Sequence, residues 1–544
     1  MAAGDFKPKF LTVIGEGYGA DRLRADLIAG LTVAVVAVPL AMALGIASGA
    51  SPREGLVTAI VAGFLISALG GSRVQIGGPT GAFVVIVAGV IAAHGMSGLI
   101  AATMLAGLIL IAAGYGGVGR LMRFVPMPVI TGFTAGIAVI IASSQIGDFF
   151  GLRTGAVPAE FVDKWAAYLR AFGTINWAAL GVGGGSLLLI LVLRRAAPRA
   201  PAYLIAIVAA GLATWALRLP VETVGSRFGA MPAGLPWPHW PDLSLQMIRE
   251  IIPSAFTIAF LAGIEALLSA AVADGMTGYR HRPGQELVGM GVANIVSGLF
   301  GGLPATGAIA RTATNIRAGG QTPVAGMAHS VFLFLFLLLA SAAIGYVPMA
   351  ALAAVLLMVA WGMSEADRFL VLLRADAGER AILVLTFLLT ILVDLTVAIG
   401  VGVTLAALFF MRRMSEHAGL VPIDPDEDPE QRARLPEGVE VFRFTGPIFF
   451  GVASEMIEAL RRIGRRPRAV ILRMEEVPYI DATGAAALAT FVRQARGSGA
   501  EVWLCGLRRG PLEFLARMDP PYAGARRTLT YQGALTRLTE PPRG

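Results

Sequence analysis

Long apolar runs separated by short polar stretches fill residues 26–411, and the pattern then shortens to that of an ordinary soluble domain. Apolar runs of about 20 residues read as bilayer-crossing helices. The chain offers fourteen such segments, several of them short, with approximate centres at 38, 62, 88, 106, 135, 185, 209, 263, 293, 311, 333, 353, 387 and 403. The pattern breaks at "RRMSEHAGLVPIDPDEDPEQRARLPEG", which is charged and holds proline. The expected organisation is an N-terminal cytoplasmic segment 1–25, a transmembrane domain 26–413, a linker 414–436 and a cytosolic domain 437–544.

Basic residues orient the spans. With the N-terminus in the cytoplasm, 18 of the 26 Lys and Arg in residues 1–413 fall in inside loops and 7 in outside loops. Arg311 alone is left within a span. This bias predicts both termini on the cytoplasmic side of an inner (plasma) membrane. Composition agrees: 56% hydrophobic, 15% charged and a mean hydropathy of +0.71 exclude a soluble globular protein. The net charge of +8 is dispersed between spans rather than clustered on one face, so no nucleic-acid partner is expected. No Walker-type loop suggests ATP, no Cys/His cluster suggests a metal, and no feature suggests an enzyme. The start, with about 25 polar-leaning residues before the first apolar run, does not read as a cleavable signal peptide. Cys505, the single cysteine, reads as a small buried residue.

Two short motifs repeat within the apolar region. "GGPTGAF" (77–83) and "LPATGAI" (303–309) each place a proline just before Thr-Gly-Ala. Thr80 follows Pro39 of the first span by 41 residues, and Thr306 follows Glu265 of the eighth span by 41. Span 3 therefore pairs with span 10 and span 1 with span 8. An odd number of spans separates each pair, so the halves are inverted, and Gly/Pro-interrupted spans at matching places in inverted halves mark a transporter's binding site. A helix that starts halfway across lipid has unpaired N–H groups in its first turn, which must face protein or a wet cavity. Two such tips carry roughly half a positive charge each. The candidate substrate site is accordingly Thr80, Gly81, Ala82 and Phe83 at one tip, and Gly307, Ala308, Ile309, Ala310 and Arg311 at the other. Arg311 adds a full positive charge and makes this an anion site.

Glu265 is the one ionisable residue between Ile251 and Asp274. It could hold a proton, a sodium ion or Arg311; the proton is favoured, because Ile309 and Ala310 bring no side-chain oxygen to the neighbouring tip. Ser269, one turn later on the same face, could add an oxygen. Asp394 reads as an outer turn, His281 as part of a cytoplasmic basic loop, and Asn315 as a helix-to-helix hydrogen bond.

"GGPTGAF", "FLAGIEALLSAAVADGMTG" and "GLPATGAIARTATNIRAG", followed by the domain beyond 437, resemble the SulP/solute-carrier-26 family of anion transporters over essentially the whole chain. The resemblance implies an α-helical polytopic fold of seven plus seven inverted spans, shared with nucleobase permeases. It also implies a mobile core (spans 1–4 and 8–11), a gate (spans 5–7 and 12–14) and a homodimer. Carried over by position, the family's site involves Leu44, Phe83, Ala310 and Arg311. "IEALLSAAVADGMTG" and "MVAWGMSEA" look closest to bacterial proton-coupled C4-dicarboxylate carriers, which implies an elevator-like uptake of fumarate or succinate. Sulfate or bicarbonate on the same scaffold is the alternative; an anion channel or a membrane-tethered regulator ranks below both. Leu40 stands where many members have glutamine. Glu265 and Ile309 stand where the sodium-coupled bicarbonate branch has Asp and Thr, and span 10 lacks the acid of the nucleobase permeases.

In the tail, strands are expected at 439–445, 467–474 and 501–507, with helices around 453–464, 483–497 and 511–518. "VPYIDATGAAAL" resembles the signature of STAS domains, related to anti-sigma-factor antagonists. In those antagonists the position of Thr483 is a phosphorylatable serine. Here Thr483 reads first as a helix N-cap and second as a regulatory site, with a cytosolic protein as a potential STAS partner.

Overall fold

Backbone amides in lipid must be paired within the chain, and the apolar runs accordingly form helices. The computed structural model describes residues 6–120, 126–155, 157–158, 160–198, 200–241, 244–393, 395–416, 419–422, 435–449, 467–518 and 521–539. Two compact units divide the chain, Met1–Val403 and Thr404–Gly544.

The principal helices of the first unit are α1 (Ala20–Ala47), α2 (Pro52–Leu69), α3 (Val84–Tyr115), α4 (Met127–Ser144), α5 (Trp177–Ala196), α6 (Ala202–Leu217) and α7 (Leu245–Thr277). They continue as α8 (Pro283–Leu299), α9 (Ile309–Arg317), α10 (Pro323–Ile344), α11 (Met349–Met363) and α12 (Ala377–Leu392), and α13 (Leu395–Glu416) runs on past the unit boundary. Every expected centre falls in one of these helices. Among the described residues, nine helical stretches are long and apolar enough to cross a bilayer. The other centres fall in the second half of α3 and in the shorter α6, α8, α9 and α12. Within α3 the chain turns at Gly95, whose φ of 65° lies in the left-handed region that glycine alone adopts freely. Asp394 lies outside the described residues.

Packing separates two groups. The first three helices pack against α7–α10, and α4–α6 pack against α11 and α12. Small residues allow the close approach in the first group: a Cβ on Gly107 or on Gly291 would run into the other's carbonyl oxygen.

The second unit is a five-stranded sheet in the order β3 (Gly419–Pro422), β4 (Val439–Thr445), β5 (Ala469–Glu476), β6 (Glu501–Cys505), β7 (Arg526–Thr528). Strands β3 and β4 are antiparallel and the remaining neighbours parallel. Alternate residues bury opposite faces. Phe442, Phe444, Leu472 and Leu504 pack with Phe491 of the helix Ala482–Gly497, while Val441, Ile471 and Trp503 pack with Leu535 of the helix Tyr531–Thr539. The expected strands and the helices near 483–497 and 511–518 (observed as Arg509–Ala516) are present; the helical pattern at 453–464 lies outside the described residues. Strand β3 falls inside the segment expected as a linker.

Candidate functional site

The two repeated motifs meet. Gly77–Gly78, here β1, pairs antiparallel with Thr306–Gly307, here β2, in the register Gly77 to Gly307 and Gly78 to Thr306. Each strand leads into a helix. A short 3-10 turn, Gly81–Phe83, opens the first part of α3, and α9 begins at Ile309. With nine residues, α9 is about 13 Å long, under half the hydrocarbon thickness. Neither tip has a side-chain cap on its backbone.

Buried side chains from neighbouring helices satisfy the non-helical backbone on both sides of the ribbon. Asn294 of α8 accepts from the Ala305 amide at 2.8 Å and donates to the Ala305 carbonyl at 2.9 Å. Thr58 of α2 accepts from the Leu303 amide at 2.6 Å, and Glu286 of α8 accepts from the Gly71 and Ser72 amides at 2.7 and 2.8 Å. Thr312 of α9 accepts from the Ile76 amide at 3.0 Å, and Asn315 donates to the Val74 carbonyl at 2.9 Å. Asn315 thus bonds an extended segment and not a helix. Asp26 does the same further off, accepting from the Gln321 and Thr322 amides. These residues were not singled out by sequence, apart from Asn315; a proline- and glycine-containing stretch between apolar runs announces unpaired backbone but not which distant side chain answers it.

Arg311 is 3% exposed and sits in the first turn of α9. Its Nη2 donates to the carbonyl of Pro79, so the second motif's cation is anchored on the first motif's backbone. Its Nε and Nη1 have no hydrogen-bond partner among the described residues. Two donor nitrogens of a cation without a partner in so buried a place are donors in want of an acceptor. Gly78 permits this placement, because a Cβ there would collide with Arg311 Nη1. Thr80 donates to Glu265 Oε2 at 2.9 Å. No ion pair joins Glu265 to Arg311 among the described residues, so in this arrangement the acid is not the arginine's salt-bridge partner. Ser269 does not reach Glu265 either: its hydroxyl lies 3.2 Å from Thr312 Oγ1, bracing α7 against α9.

The other candidate residues divide by exposure. Leu44, Ala82 and Phe83 lie buried in the continuous apolar cluster of the first unit. Gly81 abuts the gate side, where a Cβ would touch Ile141 of α4 and Met363 of α11. Gly307 lies against the Gln75 side chain, and Ala308 donates its amide to Ile76 at 2.9 Å. Ile309 is 42% exposed and Ala310 is exposed too, while Thr80 and Glu265 are half-buried. The tip of α9 is therefore open. A separate cavity of about 500 Å³, lined by Val38, Met42, Ile207, Trp215, Phe336 and Ile344 among others, has no charged side chain in its wall and offers an anion nothing.

Outside the ribbon, His281 pairs with Asp274, its Nδ1 2.7 Å from Oδ2. Thr483 is exposed and is not the cap of its helix: Asp481 is the N-cap, accepting from the Gly484 amide at 2.7 Å. The helix begins one residue earlier than expected, and a carboxylate at Asp481 accepts the early amide more strongly than a hydroxyl two positions on.

The chain matches the Sulfate permease family over residues 23–386 and the STAS domain over 431–519. YvdB of Bacillus subtilis (strain 168), which carries a sulfate-transporter name, is 40% identical over 502 residues, covering 92% of this chain and 94% of that protein. The bicarbonate transporter BicA of Picosynechococcus sp. is 30% identical over 507 residues, covering 89% and 88%. The solved transmembrane domain of a cyanobacterium bicarbonate transporter BicA matches with a TM-score of 0.64 at 30% identity, over 70% of this chain and 99% of that one. The murine Solute Carrier 26 family member A9 anion transporter, in the inward-facing state, matches with a TM-score of 0.86 over 98% and 94%. At 17% identity that last likeness concerns the fold alone.

Proposed function

Because the chain belongs to the sulfate permease (SulP/SLC26) family, we propose that it is a secondary active carrier that couples uptake of a small dicarboxylate, fumarate or succinate, to protons. That it is a multi-pass membrane transporter of anions, and not an enzyme, follows from the family itself. The observation that carries the reading is Arg311: buried, held by one nitrogen on Pro79, and with two donors left for an anion at the uncapped tip of α9. An elevator-like movement of the core spans past the gate spans would carry that tip between the two sides of an inner membrane, with both termini in the cytoplasm.

Proton coupling is favoured over sodium because a sodium ion needs several converging oxygens. Near Glu265 the Ser269 hydroxyl faces Thr312 Oγ1 at 3.2 Å, and position 309 at the neighbouring tip is isoleucine, which supplies no oxygen. Sulfate or bicarbonate as cargo is the second reading, favoured by the names of YvdB and BicA. The test is a counterflow screen in proteoliposomes with fumarate, succinate, sulfate and bicarbonate, with and without sodium. Accumulation of a dicarboxylate driven by an inward pH gradient is expected, with the dependence on that gradient lost in Glu265→Gln. Conductance without accumulation would turn the reading into that of a channel. A gradient dependence that survives Glu265→Gln would move the proton to another group.

A further inference from the structure

We propose that Thr80 is the positioning residue that links protonation to anion binding: its hydroxyl hydrogen points at Glu265 while that carboxylate is charged and at the bound anion once Glu265 is protonated. The proposal rests on Glu265 being the proton-coupling group. A threonine hydroxyl has one hydrogen and two lone pairs, and an ionised carboxylate only accepts. With Glu265 ionised, the contact from Thr80 Oγ1 to Glu265 Oε2 at 2.9 Å commits the one hydrogen to the acid. When a proton from water joins Glu265, the carboxyl O–H becomes a donor to Thr80 Oγ1, and the hydroxyl hydrogen is freed to turn elsewhere. No heavy-atom bond forms or breaks, and the net change is one proton gained by the carboxyl.

The cation that would hold the anion hangs on the residue next to Thr80 and gives that hydrogen its direction. Thr80 is the N-cap of the Gly81–Phe83 turn, and its side chain accepts from no backbone amide there, so its oxygen is free to accept the carboxyl O–H once Glu265 is protonated. The preceding carbonyl, that of Pro79, takes Arg311 Nη2. Residues 79 and 80 thus hold the cation and the acid from adjacent positions on one strand end. Thr80 and Glu265 are both half-buried, so proton and solute can reach them. The elements packed against α7 bring few other charges. These are Arg311 and Arg317 on α9, Glu286 on α8 (held by the Gly71 and Ser72 amides) and His94 on α3, 3.6 Å from Glu250 at the other end of α7.

A Thr80 that merely satisfies Glu265 predicts the opposite sign from one that reverses. The experiment measures binding of fumarate and of sulfate to the full chain in detergent at pH 5.5 and 8.0, for wild type, Thr80→Val, Thr80→Ser, Glu265→Gln and the Val/Gln double variant. Reversal predicts that Thr80→Val weakens binding about tenfold at pH 5.5, and about tenfold in the Glu265→Gln background at either pH, but less than twofold in otherwise wild-type protein at pH 8.0. Thr80→Ser should behave as wild type, which separates loss of the hydroxyl from misfolding. An equal loss at both pH values, or a loss confined to pH 8.0, overturns the role of Thr80 and leaves Glu265 standing. Wild-type binding that does not change with pH, or binding of neither anion, overturns the reading of Glu265 and this inference with it.

Discussion

Arg311 is held by one of its nitrogens and left with two donors, and those two jobs cannot be done by a shorter or simpler cation. Arg311→Ala should reduce uptake in proteoliposomes to the level of empty vesicles while the protein still elutes as a single species. Arg311→Lys keeps the charge but loses the fork that reaches both Pro79 and a ligand, and transport should fall about 10- to 100-fold. Gly78→Ala tests the same placement from the other side. Its methyl group would occupy the position of Arg311 Nη1, and the residue's φ of 150° already disfavours a side chain; a loss of at least about tenfold in uptake is expected. At this scale the sequence was legible where chemistry is rare: an arginine and a glutamate in apolar runs announce themselves. Partners were less legible. The spacing of Ser269 put it on the Glu265 face, but its hydroxyl goes to Thr312 because α9 is packed close beside α7. Asp481 displaced Thr483 as a cap because the helix starts at Ala482, one residue earlier than expected, and the Asp481 carboxylate accepts the Gly484 amide more strongly than a hydroxyl would.

The half-helices were readable from two short motifs, because glycine and proline at matching places in two halves have few other uses in lipid. Their pairing was not. The ribbon of β1 and β2 is two residues long on each side and joins segments far apart in the chain, so no local alternation signals it. The residues that sustain it were invisible for the same reason. Asn294 looks like any polar residue in an apolar helix, yet it closes both hydrogen bonds of Ala305. Asn294→Leu leaves a buried amide and carbonyl unpaired, at about 1–3 kcal/mol each. A fall of several degrees in thermal unfolding of the purified protein should accompany it, together with impaired uptake.

On the whole-chain scale, the change from long to short hydrophobic periods marked two kinds of domain, and helix positions were recovered throughout the first. The second unit was harder at its margins. Strand β7 is "RRT", with no apolar alternation, and β3 lies in a stretch whose charge and prolines read as linker. Its one thiol offers a probe of the full chain. Cys505 is buried beneath Tyr531 and Leu535, accepts a hydrogen bond from Thr528 at 3.3 Å, and is pushed by burial from 9.0 up to about 11. The folded value lies above the unfolded one, so the contribution to stability is whole below pH 9 and is lost as pH rises through 11. At pH 8 the native chain should react with iodoacetamide about 100-fold more slowly than the unfolded chain. Equal rates would show that the unit opens readily.

The antiparallel pairing of β3 with β4 decides where this gene can be cut. A clone of the transport half ending at residue 436, the natural choice from composition, would keep residues 419–422 but discard the strand that pairs with them, exporting a bare β edge on every molecule. Ending at residue 416, after the last membrane helix, removes that sticky flap, and the complementary tail fragment should begin at residue 417 for the same reason.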